Sequence, residues 1–176
     1  MLFKSIYKNI KAQCENISLN TVIKYLEFLK EAYIIDEIPQ YSTKTKKELA
    51  YYGKIYNTDV CFNSLKVTNN RYDIDHNLEN IVYNELLYMG YTVKLYDNKG
   101  KEIDFIATKD NKTYLIQVAY SVVDEKAYQR EFKAFANIDN LSQKIIITNE
   151  NVIFFFIVFF LESSSVLLTL FRSRRL

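Results

Sequence analysis

Leu78-Glu-Asn-Ile-Val-Tyr-Asn-Glu-Leu-Leu-Tyr88 is the stretch from which the fold can be read. Leu78, Ile81, Val82, Glu85, Leu86 and Met89 recur three and four residues apart, as on one face of a helix, and Gly90 stands where a helix would stop. Three runs with turn residues between them follow, at 92–96, 102–108 and 113–120, and each reads as a strand. A second helical pattern covers 124–135, and the apolar centre of 144–148 suits a buried strand. The order helix–strand–strand–strand–helix–strand predicts an α/β (α+β) core built on a mixed sheet.

Several side chains in that core carry chemistry. Glu85 sits on the expected inner stripe of the first helix, where an unpaired carboxylate is unfavourable. Asp104 lies among Ile103, Phe105 and Ile106 in the second strand. In Tyr114-Leu-Ile-Gln-Val-Ala-Tyr120, Gln117 and Ala119 share a face because strand side chains alternate.

Upstream, residues 1–66 read as a separate unit. Phe3, Ile6, Tyr7, Ile10 and Cys14 have helical spacing. Ser18 has the character of an N-cap, flanked by Ile17 and Val22 as a hydrophobic staple. The next helix carries Leu19, Val22, Ile23, Leu26, Leu29 and Tyr33. A β-like run at 33–38 stops at Pro39, and a second extended stretch at 48–56 follows the turn Lys44-Thr-Lys-Lys47. Two helices, a hairpin and a basic loop make a winged helix-turn-helix. Its outward helix positions, Asn20, Lys24, Glu27, Lys30 and Glu31, alternate in sign, whereas a DNA-reading helix offers Arg, Asn and Gln to base edges. Only the wing, with Lys44, Lys46, Lys47 and further on Lys54, suits phosphate. Winged helices also connect proteins, so connector and nucleic-acid roles both stay open.

Composition removes other classes. The 176 residues carry 23 Lys+Arg against 21 Asp+Glu, net +2. Residues 1–66 hold ten lysines and seven acids, net +3; residues 67–150 hold eight lysines, Arg71 and Arg130 against thirteen acids, net −3. The body is therefore neutral, which weakens any inference from a basic pI to nucleic acid. Cys14, Cys61 and the single His76 cannot build a disulfide framework or a zinc cluster, and they suit a reducing interior. With Gly53, Gly90 and Gly100 alone, no phosphate loop can form, so the chain is not expected to hydrolyse a nucleotide by itself. Residues 1–10 mix Lys4 and Lys8 with apolar side chains and show no signal-peptide pattern, so a cytoplasmic setting is expected.

The last 26 residues differ from the rest. All fifteen tyrosines and all eighteen lysines lie before residue 151, while half of the twelve phenylalanines lie after it. Residues 152–161 are unbroken apolar, Glu162-Ser-Ser-Ser165 interrupts, and 166–171 resumes before Arg172-Ser-Arg-Arg175. Three readings fit: an aberrant, frame-shifted end, a membrane anchor with Glu162 near its centre, or a native buried strand with a frayed end.

Glu85, Glu102-Ile-Asp104 and Leu115-Ile-Gln-Val-Ala119 resemble, in order and spacing, the restriction-endonuclease-like core, whose motif is Asp followed by Glu-x-Lys on the next strand. More closely, residues 5 to about 149 are similar to the C-terminal half of a bacterial and archaeal family of AAA-type ATPases. In that family an ATPase domain precedes a winged helix and then a nuclease-like domain of unknown function. The matching stretches are Ser18-Leu-Asn-Thr-Val-Ile-Lys-Tyr-Leu26, Lys54-Ile-Tyr-Asn-Thr-Asp59, the 78–86 segment, Glu102-Ile-Asp-Phe-Ile-Ala107 and Arg130-Glu-Phe132. The resemblance implies Asp104 as the metal-binding aspartate and Glu85 as the helical acid, with Glu79 as a substitute. Gln117 stands where an active nuclease has its second carboxylate and Ala119 where it has its lysine. The expected architecture is a winged helix at 1–66, a connection at 67–77, a nuclease-like α/β domain at 78–149 and an aberrant or membrane-like tail at 150–176. The expected role is a non-catalytic region that binds an ATPase domain or another protein partner, without a cofactor. A magnesium-dependent DNA nuclease and a DNA-binding adaptor are the alternatives, and a membrane enters only if the tail is genuine.

Overall fold

The computed structural model describes residues 2–13, 16–41, 53–64, 74–98, 101–121, 125–135, 138, 142–149, 155–162 and 165–172. The fold is mixed α/β with two sheets. Helix α1 (Leu2–Lys11) precedes α2 (Leu19–Glu31), which Ser18 caps by accepting a hydrogen bond from the Thr21 N–H at 3.1 Å. The α2 helix ends where Tyr33 adopts φ 55°, with the Ile34 N–H donating back to the Leu29 carbonyl.

The chain then enters β1 (Ile35–Ile38), which pairs antiparallel with β3 (Lys54–Asn57), from Ile35 opposite Asn57 to Ile38 opposite Lys54. Between them, past Pro39, β2 (Gln40–Tyr41) leaves this hairpin for the other sheet and runs parallel to β4 (Thr92–Asn98). The basic loop with Lys44, Lys46 and Lys47 lies outside the described residues, as does most of the extended stretch expected at 48–56.

After the short α3 (Cys61–Ser64) comes α4 (Ile74–Tyr88), which starts inside the stretch expected to be a connection. Gly90 takes φ 81° and ends the helix as its sequence position suggests. β5 (Lys101–Lys109) and β6 (Lys112–Ala119) form a hairpin whose two loop residues, Asp110 and Asn111, both have positive φ; this turn carries the twist of its strands. Helix α5 (Glu125–Ala134) crosses to β7 (Gln143–Thr148), parallel to β6. The tail adds β8 (Phe155–Glu162) and β9 (Ser165–Arg172), which pair antiparallel and extend the sheet beyond β7. Among the described residues no helix is long and apolar enough to cross a membrane.

The seven-stranded sheet runs β2-β4-β5-β6-β7-β8-β9 and buries side chains on both faces. One face packs Val82, Tyr83 and Leu86 of α4 against Leu95, Phe105 and Ile116, together with Ile38 and Tyr56 of the β1–β3 hairpin. The other packs Ala134 and Phe135 against Ile103, Leu115 and Ile146. Burial of Ile38 and Tyr56 in the first cluster joins the hairpin to the sheet in one core.

Candidate functional site

The phase of α4 decides which acid faces the protein. Its asparagines, not only its apolar stripe, point inward. Asn80 is fully buried; its Oδ1 accepts the Asn57 N–H at 3.1 Å and its Nδ2 donates to the Asn57 carbonyl at 2.8 Å. One side-chain amide thus completes the backbone pairing that Asn57 needs once it is withdrawn from water. Asn84 donates to the Asn57 and Thr58 carbonyls, and Asn63 donates to both Asn77 and Asn80. This zipper sets Glu79 toward β3 and leaves Glu85 exposed. Glu85, expected on the inner stripe, thus lies at the surface: an apolar spacing of three and four cannot reveal that a polar flank is also buried.

Asp104 owes its position to a break in the sheet. The β4–β5 register shifts between Lys94 and Tyr96, a bulge that re-aims the facing residues of β5. The β5–β6 ladder runs only from Phe105 opposite Ile116 to Lys109 opposite Lys112. Beyond its end the Val118 N–H donates to Asp104 Oδ2 at 2.8 Å, so the carboxylate takes the place of a missing ladder partner.

These elements bring a cation among three acids. Lys54 Nζ lies 2.8 Å from Glu79 Oε1, 3.1 Å from Glu102 Oε1 and 3.6 Å from Asp104 Oδ1. The Tyr56 hydroxyl donates to the same Glu79 oxygen. Its ring is buried, stacked on Tyr83 at 4.8 Å between centroids and set against Phe105 at 6.0 Å. Tyr83 in turn donates to Asp36 of β1.

Burial and charge act in opposite directions on these groups. Burial disfavours the Lys54 ammonium, but Glu79, by charge and hydrogen bond, and then Asp104 and Glu102 outweigh it and hold the lysine above its usual range. Burial, reinforced by the Glu79 charge, pushes the Tyr56 phenol upward. Asp104 is pushed up to about 7, first by burial and then by the negative Glu79, against the Val118 hydrogen bond and Lys54. Lys54 is thus a permanent cation and Tyr56 a neutral donor, while Asp104 titrates near neutrality.

Gln117 and Ala119 flank Val118 and take other partners, while Lys44, Lys46 and Lys47 lie outside the described residues. Gln117 Nε2 donates to Glu131 Oε2 of α5 at 3.0 Å, and its buried Oε1 has no hydrogen-bond partner among the described residues. Ala119 is buried opposite Thr148. Lys54, grouped above with the loop cations as a phosphate ligand, is instead held by carboxylates; this too is a correction. Lys54 and Tyr56 are missed as a pair, although alternation in a strand puts both on one face, the signal that could have found them. Among the described residues no three His, Cys, Asp or Glu side chains converge closely enough to hold a metal ion. A divalent ion does not fit the acids as arranged, because the ammonium stands between them.

Residues 75–162 match the family described as "Domain of unknown function (DUF4143)", a match that runs past Asn149 into β8. Residues 1–96 match the "Ferric uptake regulator family". That likeness agrees with a winged-helix-like N-terminal region. An "Uncharacterized protein" of Haemophilus influenzae is 31% identical over 133 residues, covering 76% of this chain and 32% of that protein. "Uncharacterized protein MJ1544" of Methanocaldococcus jannaschii is 34% identical over 158 residues, covering 84% of this chain and 34% of its own length. The chain thus spans about a third of the length of these curated relatives. No solved structure matches.

Proposed function

The chain belongs to the DUF4143 family and carries a winged helix like that of the ferric uptake regulator family; from this premise we propose that it is the non-catalytic, partner-binding or regulatory region of a longer AAA-type ATPase-family protein. The observation that carries this reading is the Lys54 ammonium set among Glu79, Glu102 and Asp104. A metal-dependent nuclease needs carboxylates free to converge on the ion and a separate cation beside the reacting phosphate. Here the cation occupies the space between the acids, and Gln117 and Ala119 supply neither a second charge nor a lysine. Losing one such electrostatic group typically lowers a rate ~100–1000-fold, and two are absent. The cluster acts instead as a clamp between β3 of the winged helix and the α4–β5 core. That the relatives are about three times as long supports a role as one region of a larger protein.

Incubating the chain with supercoiled plasmid and Mg²⁺ or Mn²⁺ tests this reading. No cleavage is expected; metal-dependent nicking abolished by Asp104→Ala would overturn it and install the magnesium nuclease. The ferric uptake regulator match favours one second reading, a DNA-binding adaptor. Duplex binding that weakens steeply with salt and with Lys46→Glu supports that adaptor; absent or salt-insensitive binding removes it.

A further inference from the structure

Helix α2 is apolar over a wider arc than the fold covers. Val22 is buried, and Ile23 and Leu26 are half-buried, on the side where α1 and β1 pack. Beside that face runs a second apolar row, Tyr25, Phe28 and Leu29, three and four apart, with Ala32 at the helix end. This row faces solvent: Tyr25 is 57% exposed and Phe28 58%, and Tyr33, in the left-handed turn just past the helix, is exposed as well. Single exposed apolar side chains are ordinary on a protein surface, whereas a contiguous aromatic row on one helix marks an interaction surface. The remaining arc, Asn20, Lys24, Glu27 and Glu31, is exposed and mixed in sign.

We propose that this row is the seat of an amphipathic helix contributed by the part of the longer relatives that this chain does not span. Two aromatic anchors spaced three apart, with Leu29 beside them, fit the apolar face of a partner helix. The mixed rim gives no net attraction to the phosphate backbone of nucleic acid or to an anionic membrane, which leaves protein as the occupant. The chain accounts for only 34% of the jannaschii relative, so most of that protein is outside it and available to supply the helix. Such a helix would couple the winged helix to the remainder of the protein through a short apolar contact. The proposal rests on the partner-binding reading above and names the surface and the kind of partner.

Overlapping synthetic peptides covering the unmatched part of the jannaschii and Haemophilus relatives, titrated against the full chain by fluorescence anisotropy, test it. One helix-forming peptide is expected to bind, with affinity lowered at least about tenfold by Tyr25→Glu or Phe28→Glu and unchanged by Glu27→Lys on the charged arc. Because Tyr25 and Phe28 are exposed, far-UV circular dichroism of both variants is expected to match the parent. Three results would overturn the proposal: no peptide binds, binding ignores both aromatic substitutions, or the parent forms a dimer that those substitutions dissolve. Plasmid cleavage would sink the non-catalytic reading but leave this contact standing, whereas peptide binding elsewhere would sink only the contact.

Discussion

Lys54→Met removes the charged end while keeping most of the length of the side chain, so it mainly probes the electrostatics of the clamp. At 2.8 Å from Glu79 Oε1, and with an effective dielectric constant of about 20, the gross attraction is about 6 kcal/mol. Asp104 at 3.6 Å contributes about 5 kcal/mol on the same basis. Glu102 is 62% exposed and adds little, because solvent screens it. Desolvation of the ammonium offsets much of this sum, and removing one partner from a buried ion pair typically lowers stability by about 3–5 kcal/mol. The variant is therefore expected to lose about 3–5 kcal/mol at about pH 8, a large part of a domain's total. The side chains of Glu79 and Asp104, 16% and 12% exposed, would then face each other without a cation. The loss also has a pH signature. Asp104 already titrates above its unfolded value, and removing Lys54 lifts it further. A carboxyl raised in the folded state stabilises the fold fully below its unfolded value and loses that contribution as pH rises through the folded one. The deficit of Lys54→Met is thus largest near pH 8 and shrinks toward about pH 5. Urea denaturation followed by far-UV circular dichroism at both pH values measures it. A deficit under about 1 kcal/mol near pH 8, or an equal deficit at both pH values, would refute the electrostatic account.

In the parent chain, Asp104 contributes a fall in stability as pH rises from its unfolded 3.8 through about 7, and Asp104→Asn is expected to flatten that slope in urea titrations. Glu79→Ala is expected to lower stability by about 3 kcal/mol, because it strips Lys54 and Tyr56 of their shared acceptor; the exposed Glu85→Ala should stay within about 0.5 kcal/mol. Asn80→Ala leaves the buried N–H and carbonyl of Asn57 without their amide partner, for a loss of about 2–3 kcal/mol in the same assay.

Local chemistry made much of the fold legible. The Ser18 cap, the Gly90 stop and the α4–β4–β5–β6–α5–β7 order all follow from short-range patterns that the elements obey. What escaped is non-local. Pro39 ends β1, but nothing nearby announces that Gln40 and Tyr41 pair with Leu95 and Tyr96. In the same way, the spacing around Glu85 is helical and correct as spacing. Its exposure was set by Asn77, Asn80 and Asn84, which bury a polar flank because a strand end needed partners there.

By itself the sequence determined the mixed α/β class, the two-helix-plus-hairpin start, the placing of Asp104 in a strand of the core, and the neutral residue types of Gln117 and Ala119 on the strand that follows. Residue types and their periodicities fix those features without reference to distant parts of the chain. Only the tertiary structure decided which acid and which cation meet Asp104. Lys54 and Glu79 are 25 residues apart in the chain, and their 2.8 Å contact exists because β3 and α4 fold onto one sheet. A lysine that looked like a loop cation for phosphate became the counter-ion of a carboxylate cluster. Low-dielectric surroundings require a buried charge to find an opposite one, and in this fold the carboxylates of Glu79 and Asp104 supply it.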